Sequence, residues 1–217
     1  MIFTLETPTL PLDGQDFPVR RIFCIGRNYA DHAAEMGNEV DREKPFFFTK
    51  SAHALTTPGD VPYPPGTADL HHEVELVLAI GAELSGATPD QAAAAIIGRA
   101  VGIDMTRRDL QAEAKDKRRP WDAAKDFDFS AVIAPLSSAP AGPGIRLSVN
   151  GAVRQDGRLD QMIFSEAEIV AFLSTLYRLM PGDLVMTGTP AGVSALMRGD
   201  QIEASIDGLP PLSARIT

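Results

Sequence analysis

The sequence predicts a β-rich fold of the α+β class, and three observations lead to this prediction. Short apolar runs that suit strands recur along the 217 residues, while few segments have a helical pattern. The 18 Gly and 17 Pro act as turn punctuation, as in Pro181-Gly182-Asp183. An Asn150-Gly151 pair between two strand-like runs indicates a hairpin. We expect one domain over residues 21–217, after an irregular lead-in at residues 1–20.

Strands are expected where apolar residues alternate with polar ones or where an apolar run ends at a turn residue. The predicted strands are residues 22–25, 45–50, 73–80, 100–105, 146–150, 152–155, 184–187 and 201–206. Regular strand–helix–strand crossovers are few, so we expect a mixed sheet.

Four helices are expected, at residues 28–36, 88–98, 106–117 and 165–179. Two of them begin with the pattern of a capping box, in which a hydroxyl residue and a side chain three positions later satisfy each other's backbone N–H groups. The residues concerned are Thr88 with Gln91, and Ser165 with Glu168.

The charge and cysteine content restrict the class of protein. With 20 basic and 29 acidic residues, the net charge of −9 repels nucleic acids and anionic lipids. A small anionic substrate stays possible because a bound cation reverses the local charge. The single cysteine, Cys24, lies in an apolar run and is expected to be a buried packing residue in a reducing compartment. Without a recognisable signal peptide or transmembrane run, we expect a cytoplasmic protein.

Three carboxylates lie at strand positions. Glu73 and Glu75 are two residues apart and therefore project from one face of a strand, and Asp104 ends a second apolar run. Buried carboxylates need a partner, and an all-oxygen set suits Mg²⁺, Mn²⁺ or Ca²⁺. The alternative is a solvated strand face. Zinc is less suited, although His71 and His72 keep it possible.

A histidine and a glutamate lie one helical turn apart. His32 and Glu35 can touch on one face of a helix, and a carboxylate that orients an imidazole makes a general base for water. A polar stretch at residues 37–44 follows. The alternative is a surface ion pair on an amphipathic helix.

Several further residues can serve an anionic substrate. Lys125 can stabilise an oxyanion, although Asp122 and Asp126 make a plain salt bridge an alternative. The glycine-rich turn at residues 187–192 can expose N–H groups to a carboxylate, or it is a structural turn. Arg108 and Gln111, one helical turn apart, can bind substrate oxygens.

Five motifs in order resemble the fumarylacetoacetate hydrolase family over roughly residues 20 to 207. They are CIGRNYADH at residues 24–32, EVE at 73–75, GIDMTRRDLQ at 102–111, KDFD at 125–128, and PGD at 181–183 with TGTPAG at 187–192. Within the family, the runs at residues 45–50, 63–65 and 69–73 look like those of small bacterial fumarylpyruvate hydrolases.

The resemblance implies a distorted mixed-sheet roll of the type of this family's carboxy-terminal domain, with residues 21–217 as a single catalytic domain that pairs as a homodimer. It implies roles for residues of three kinds. The metal ligands for Mg²⁺ or Mn²⁺ would be Glu73, Glu75 and Asp104, the catalytic residues His32, Glu35 and Lys125, and the substrate-binding residues Arg27, Lys50, Arg108, Gln111 and Thr189.

The implied activity is hydrolysis of a carbon–carbon bond in a 2,4-diketo acid of the acylpyruvate kind, with fumarylpyruvate as the expected substrate in aromatic-compound catabolism. Two alternatives use the same site, namely oxaloacetate decarboxylation and isomerisation of a diketo acid. A third is a binding module without catalysis that has kept the scaffold.

Overall fold

A computed structural model of the chain describes residue 2, residues 4–30 and residues 43–217. The strands of these residues are β1 (Thr9–Leu12), β2 (Gln15–Pro18), β3 (Arg21–Gly26), β4 (Phe46–Lys50), β5 (Leu55–Thr56), β6 (Gly59–Val61), β7 (Leu70–His71), β8 (Val74–Ile80), β9 (Ile96–Asp104), β10 (Thr106–Arg107), β11 (Ala131–Ile133), β12 (Gly144–Val149), β13 (Ala152–Arg158), β14 (Asp183–Met186), β15 (Ala195–Leu196), β16 (Gln201–Ile206) and β17 (Leu212–Ile216). The helices are α1 (Pro89–Ala95), α2 (Arg108–Asp116), α3 (Asp122–Lys125) and α4 (Glu166–Leu176), and short 3-10 turns occupy Ala52–Ala54 and Leu159–Gln161. The predicted β-rich α+β class is confirmed.

Two large sheets form the body of the domain. The first has seven strands in the order β4-β3-β14-β8-β9-β11-β5, and it is mixed because β14 runs parallel to β3 and β11 parallel to β5. The second has five strands in the order β13-β12-β16-β17-β6. Small sheets join β10, β7 and β15, and β1 with β2.

Strand alternation sorts the core into two clusters on opposite faces of the seven-stranded sheet. Phe23 of β3 belongs to the larger cluster, which includes side chains of the five-stranded sheet and of α4. Cys24, the next residue, belongs to the second cluster with Leu10 and Phe17 of the β1–β2 hairpin. Both faces of β8 are therefore covered, and all seven of its residues are buried. Cys24 is a buried packing residue, as predicted.

Local sequence signals explain several of these elements. Both predicted capping boxes are present, at Thr88 and at Ser165, and the hairpin turns at Asn150-Gly151. Asn150 and Gly151 both have positive φ, as a tight two-residue turn requires.

Several boundaries differ from the prediction. The helix predicted over residues 165–179 ends at Leu176, and the strand predicted over residues 152–155 continues to Arg158. Residues 1–20 are not irregular throughout, because β1 and β2 pair there. Helix α1 ends at Ala95, and Ile96 already begins β9, so the alanine run does not continue to Gly98. Thr106 and Arg107 form strand β10 before α2 begins, since β10 pairs with β7. Local propensity failed where tertiary pairing determined the conformation. No helix in the described part of the chain has the length and apolar character to cross a membrane.

Candidate active site

The register of β8 and β9 brings three carboxylates together. Glu75 lies opposite Gly102, and the Asp104 N–H donates to the Glu73 carbonyl at 2.9 Å. Adjacent antiparallel strands therefore place all three side chains on one face of the sheet. We call Glu73, Glu75 and Asp104 the acidic triad, and each offers an oxygen within 4.8 Å of the others.

The triad is buried, which makes its charge costly unless it is compensated. Burial raises the pKa of Glu75 well above its usual value, and the charges of Asp104 and Glu73 raise it further. One compensating donor is the Gly188 backbone N–H, 2.7 Å from Glu75 Oε2. The predicted N–H donor of the glycine-rich turn thus binds a carboxylate of the chain itself.

Glycine is required at this turn. Gly188 has a φ of +95°, and an added Cβ would lie 2.8 Å from the Asn28 Cβ. The Asn28 side chain is buried, and its amide donates to the carbonyls of Phe164 and Thr187 and accepts from the Phe164 N–H. The turn after β3 is thereby fixed against the end of β14.

Lys125 places a positive charge between two of the carboxylates. Its Nζ lies 2.7 Å from Glu73 Oε2, 2.9 Å from Asp104 Oδ2 and 2.6 Å from Thr106 Oγ1. Burial lowers the pKa of Lys125, but Asp104 and Glu73 more than offset this effect, so its pKa is raised and it stays charged. The alternative salt bridge of Lys125 to Asp122 or Asp126 is wrong, because its three donors go to the triad and to Thr106.

Lys50 lies in the interior. Its ammonium is 2.9 Å from Asp104 Oδ1, an ion pair without hydrogen-bond geometry, and it donates to the carbonyls of Lys125 and, at 3.4 Å, Met105. Its side chain is fully buried. The expectation that Lys50 anchors a substrate carboxylate is therefore not favoured, since its charge is used by Asp104 and by backbone oxygens.

Arg108 and Gln111 make the predicted contact across one turn of α2. Arg108 Nη1 donates to Gln111 Oε1 at 2.7 Å, and Arg108 Nη2 donates to Glu73 Oε1 at 2.6 Å. The guanidinium thus holds Glu73 on the side away from Lys125. Its Nε is buried and has no hydrogen-bond partner among the described residues.

A buried glutamine in β13 fixes the polarity of the Thr189 hydroxyl. The Val74 backbone N–H can only donate, and it donates to Gln155 Oε1 at 3.0 Å. Gln155 Nε2 is therefore the donor, to Thr189 Oγ1 at 2.7 Å and to the Pro190 carbonyl at 2.8 Å. Thr189 Oγ1 therefore accepts a hydrogen bond from Gln155, and the proton of the Thr189 hydroxyl is available to donate into the pocket that Thr189 lines.

The two neighbouring histidines are held away from the triad. His72 is buried between Gln155 Oε1 and Ser194 Oγ, at 2.9 Å from each, and burial lowers its pKa to about 4. His71 pairs with Asp69 at 2.9 Å. A zinc set containing them is not present among the described residues, where the metal-type cluster consists of carboxylates alone.

A pocket opens over the triad and has two parts. Its floor consists of buried side chains, which are Glu73, Glu75, Gln111, Lys125 and Thr189. Its rim consists of half-buried side chains that include Arg27, Lys115 and Trp121. Arg27 holds a left-handed backbone with a φ of 60°, which aims it from the turn after β3.

Comparison with known proteins adds to this geometry. The model of the fumarylacetoacetate (FAA) hydrolase C-terminal family matches residues 21–217, almost the whole chain. The chain belongs to this family. The predicted mixed-sheet roll of the family's carboxy-terminal domain is thereby confirmed.

Two relatives and one solved structure are similar over nearly their whole lengths. Fumarylpyruvate hydrolase of Ralstonia sp is 46% identical over 188 residues, covering 83% of this chain and 98% of the relative. Oxaloacetate tautomerase YcgM of Escherichia coli is 39% identical over 200 residues, covering 89% and 91%. The crystal structure of fumarylpyruvate hydrolase from Pseudomonas aeruginosa in complex with Mn²⁺ and pyruvate has a TM-score of 0.96 and 45% identity, covering 100% of this chain and 99% of that one.

The triad of this family member fits a divalent cation. Two oxygens bound to one ion at about 2.1–2.6 Å lie at most about 4.2–5.2 Å apart, where the lower figures are those of Mg²⁺ and the upper those of Ca²⁺. The carboxylate oxygens of the triad lie within 4.8 Å of one another, which is in this range. The donors are all oxygen, as Mg²⁺ and Mn²⁺ prefer. Two ammonium groups and one guanidinium already balance the three carboxylates, so a divalent ion would give the site the positive charge that an anionic substrate needs.

The structure places most predicted site residues around this one pocket. Two members of the triad, Glu73 and Glu75, line it. So do Lys125, Gln111, Thr189, Arg108 and Arg27. Asp104 is fully buried against Lys125, and Lys50 lies in the interior behind it. The predicted dyad, His32 and Glu35, lies outside the described residues. Sequence reasoning missed Gln155 and Lys115. Gln155 contacts residues 34 to 83 positions away, so no local spacing could reveal it. Lys115 had a usable signal, the helical spacing from Arg108 through Gln111.

Proposed function

We propose that this protein is a divalent-metal-dependent hydrolase that cleaves fumarylpyruvate into fumarate and pyruvate, at the bond between C3 and C4 of the 2,4-diketo acid. The observation that carries the proposal is the buried triad with Lys125, in a chain 45% identical over its full length to a fumarylpyruvate hydrolase that binds Mn²⁺ and pyruvate. The overall reaction adds one water to the substrate and needs no redox cofactor.

Glu73, Glu75 and Asp104 would hold Mg²⁺ or Mn²⁺. When bound, the ion supplies Lewis-acid stabilisation of negative charge on substrate oxygens. Gly188 and Arg108 orient Glu75 and Glu73 through hydrogen bonds of 2.7 Å and 2.6 Å. Such outer contacts hold carboxylates in position for a cation.

His32, oriented by Glu35, would act as the general base. Its imidazole takes a proton from water, and the water oxygen attacks the C4 carbonyl carbon. Collapse of the tetrahedral adduct breaks the C3–C4 bond, which releases fumarate and leaves pyruvate as its enolate to take up a proton. The placement of Gly26 and Arg27 along the pocket supports this role, because the dyad follows them closely in the chain.

Lys125 and Thr189 would serve oxygens of the substrate. All three donors of Lys125 are engaged, so it can stabilise an oxyanion only by exchanging one partner for the substrate oxygen. Thr189 needs no exchange, since Gln155 leaves its hydroxyl proton available. Gln111 and Arg108 would contact further substrate oxygens at the side of Glu73. For Lys50 we propose a charge-balancing role at Asp104 in place of substrate binding.

A second candidate function is oxaloacetate tautomerisation or decarboxylation. Relatives from Escherichia coli and Rattus norvegicus named oxaloacetate tautomerase are 39% and 42% identical to this chain. A relative from Dictyostelium discoideum, 38% identical, is named oxaloacetate decarboxylase. Tautomerisation moves a proton between C3 and the 2-oxo oxygen, and decarboxylation breaks the C3–C4 bond to release CO₂, so neither reaction needs an attacking water.

A substrate panel distinguishes these functions. Fumarylpyruvate, acetylpyruvate and oxaloacetate are supplied to protein loaded with Mn²⁺ and to protein treated with EDTA, and loss of the enol chromophore and formation of pyruvate are followed. We expect fumarylpyruvate to give the largest kcat/KM, with dependence on metal. Preference for oxaloacetate, with no acylpyruvate cleavage, would refute the hydrolase proposal.

We also propose the organisation expected from the sequence and from the family resemblance, namely a lead-in at residues 1–20, a single catalytic domain over residues 21–217, and a homodimer in the cytoplasm that acts in aromatic-compound catabolism. The family match over residues 21–217 supports the boundary. Light scattering coupled to size-exclusion chromatography measures the oligomeric state, and a mass of one chain, 23.3 kDa, would contradict the dimer.

A further inference from the structure

Two cations on the rim of the pocket have no acidic partner among the described residues. Arg27 and Lys115 line the same pocket as Glu73 and Glu75. Among residues 4–30 and 43–217, neither forms an ion pair with a carboxylate, whereas Arg108 beside them is paired with Glu73 at 2.6 Å. Within the described part of the chain, positive charge without an acidic partner is therefore concentrated at this opening, although the net charge of the protein is −9.

Each of the two cations lies against one ring of an aromatic pair. The Arg27 guanidinium is 5.4 Å from the centroid of the Phe46 ring, and the Lys115 ammonium is 5.2 Å from the centroid of the Trp121 ring. The two rings pack edge to face with their centroids 5.0 Å apart. A ring face attracts a cation without neutralising it. The aromatic pair thus positions both charges and leaves them available to an anion.

Helix α2 aligns Lys115 with residues already assigned to the site. Arg108, Gln111 and Lys115 are separated by three and then four residues, which is the spacing of one helical face. All three line the pocket. Burial lowers the pKa of Lys115, and the cations Arg108 and Arg27 lower it further. An anion bound beside Lys115 would relieve this repulsion.

We propose that Lys115, together with Arg27, forms a second anion subsite that binds a carboxylate at the far end of the substrate's acyl group. The inference rests on the proposed function and specifies its substrate class, acylpyruvates whose acyl group ends in a carboxylate. Fumarylpyruvate has this group and acetylpyruvate lacks it. Lys115 determines specificity and takes no part in bond cleavage, which occurs over the acidic floor.

The test compares two substrates in charge-removing and charge-keeping variants of the Mn²⁺-loaded protein. Lys115→Met removes the ammonium and keeps an apolar chain to cover Trp121, while Lys115→Arg keeps the charge. Lys117→Met is the matched control, because Lys117 lies two residues away and pairs with Glu113 on the surface. A charge-assisted hydrogen bond is worth enough to change kcat/KM by roughly ten- to a hundredfold.

We expect Lys115→Met to lower kcat/KM for fumarylpyruvate by this factor, mainly through KM, with a far smaller change for acetylpyruvate. Lys115→Arg should recover most of the loss, and Lys117→Met should leave the ratio between the substrates as in the wild type. Equal losses for both substrates, or no loss for either, would overturn the proposal.

Binding of fumarate, measured by calorimetry on the Mn²⁺-loaded protein, separates this inference from the proposed function. If the wild type cleaves neither acylpyruvate, the hydrolase proposal is wrong. Fumarate binding then still tests the anion subsite, because it does not depend on hydrolysis. Weaker fumarate binding in Lys115→Met, with pyruvate binding kept, supports the subsite. Fumarate binding that is equal in the variant and the wild type contradicts it.

Discussion

The floor and the rim of the pocket differ in burial and in how their charges are balanced. On the floor, the carboxylates of Glu73 and Glu75 and the ammonium of Lys125 are buried, and each has a defined partner. On the rim, Arg27 and Lys115 are half-buried and rest on aromatic rings. A buried, fully paired site suits fixed chemistry, and a partly solvated cationic rim suits selection of an anionic substrate.

The largest expected effect tests whether the floor needs an external base. His32→Ala should lower kcat by about 10²–10⁴-fold, because a general base contributes about this much. Metal binding should be kept, since the triad is intact. Steady-state kinetics measure kcat, and calorimetry measures Mn²⁺ binding. His53→Ala, which changes an exposed histidine, serves as the control. Wild-type turnover in His32→Ala would contradict the role of the dyad.

The next effect concerns the charge balance behind the floor. Lys50→Met leaves Asp104 Oδ1 and two backbone carbonyls without their cation, and breaking a buried pair on one side costs about 3–5 kcal/mol. Chemical denaturation of the metal-free protein measures the free energy of unfolding. Lys117→Met, which breaks an exposed pair, should change it little. An unchanged stability of Lys50→Met would show that its burial has no structural role.

A smaller effect tests the hydroxyl that Gln155 orients. Thr189→Val removes the donor to substrate and should lower kcat/KM by roughly ten- to a hundredfold. The fold should be kept, because Gln155 Nε2 still donates to the Pro190 carbonyl at 2.8 Å. Thr189→Ser keeps the hydroxyl and should recover most of the activity. Equal activity of the Val and Ser variants would show that this hydroxyl does not bind substrate.

The smallest expected effect sharpens the contrast with the rim. Raising the salt concentration from about 0.01 M to about 1 M shortens the screening length from about 30 Å to about 3 Å, which weakens attraction by exposed charges. The KM for fumarylpyruvate should rise severalfold, and the KM for acetylpyruvate should rise less. Initial-rate kinetics at each salt concentration measure the two KM values. An equal rise in KM for both substrates would contradict a role of the rim in selecting the substrate with a second carboxylate.

The sequence predicted the floor better than the rim, for a physical reason. Alternation along a strand is local, so Glu73 and Glu75 could be assigned to one face from their spacing. Asp104 could be added to them because it ends a second strand, β9, whose apolar run was equally clear in the sequence. The sorting of residues 22–25 between two clusters and the pairing of residues 9–18 were not predictable, because they depend on distant elements.

The remaining site residues depended on long-range contacts. Lys125 reaches Glu73 across 52 residues, and local acidic neighbours pointed to a different partner. Gln155 of the five-stranded sheet accepts from the Val74 N–H of the seven-stranded sheet, a contact that no local spacing reveals. Lys50 was assigned to substrate by the family resemblance alone, whereas in the structure it is buried against Asp104. Charge pairing in an interior is a property of the fold, not of the local sequence.

The dependence of hydrolysis on the acidic triad can be measured by titrating the metal-free protein with Mn²⁺ and determining metal content and fumarylpyruvate hydrolysis on the same samples. We expect one tightly bound ion per chain, hydrolysis that rises in proportion to it, and loss of both in Glu75→Gln. Full hydrolysis by protein that contains no detectable metal, or unchanged Mn²⁺ binding by Glu75→Gln, would contradict this dependence.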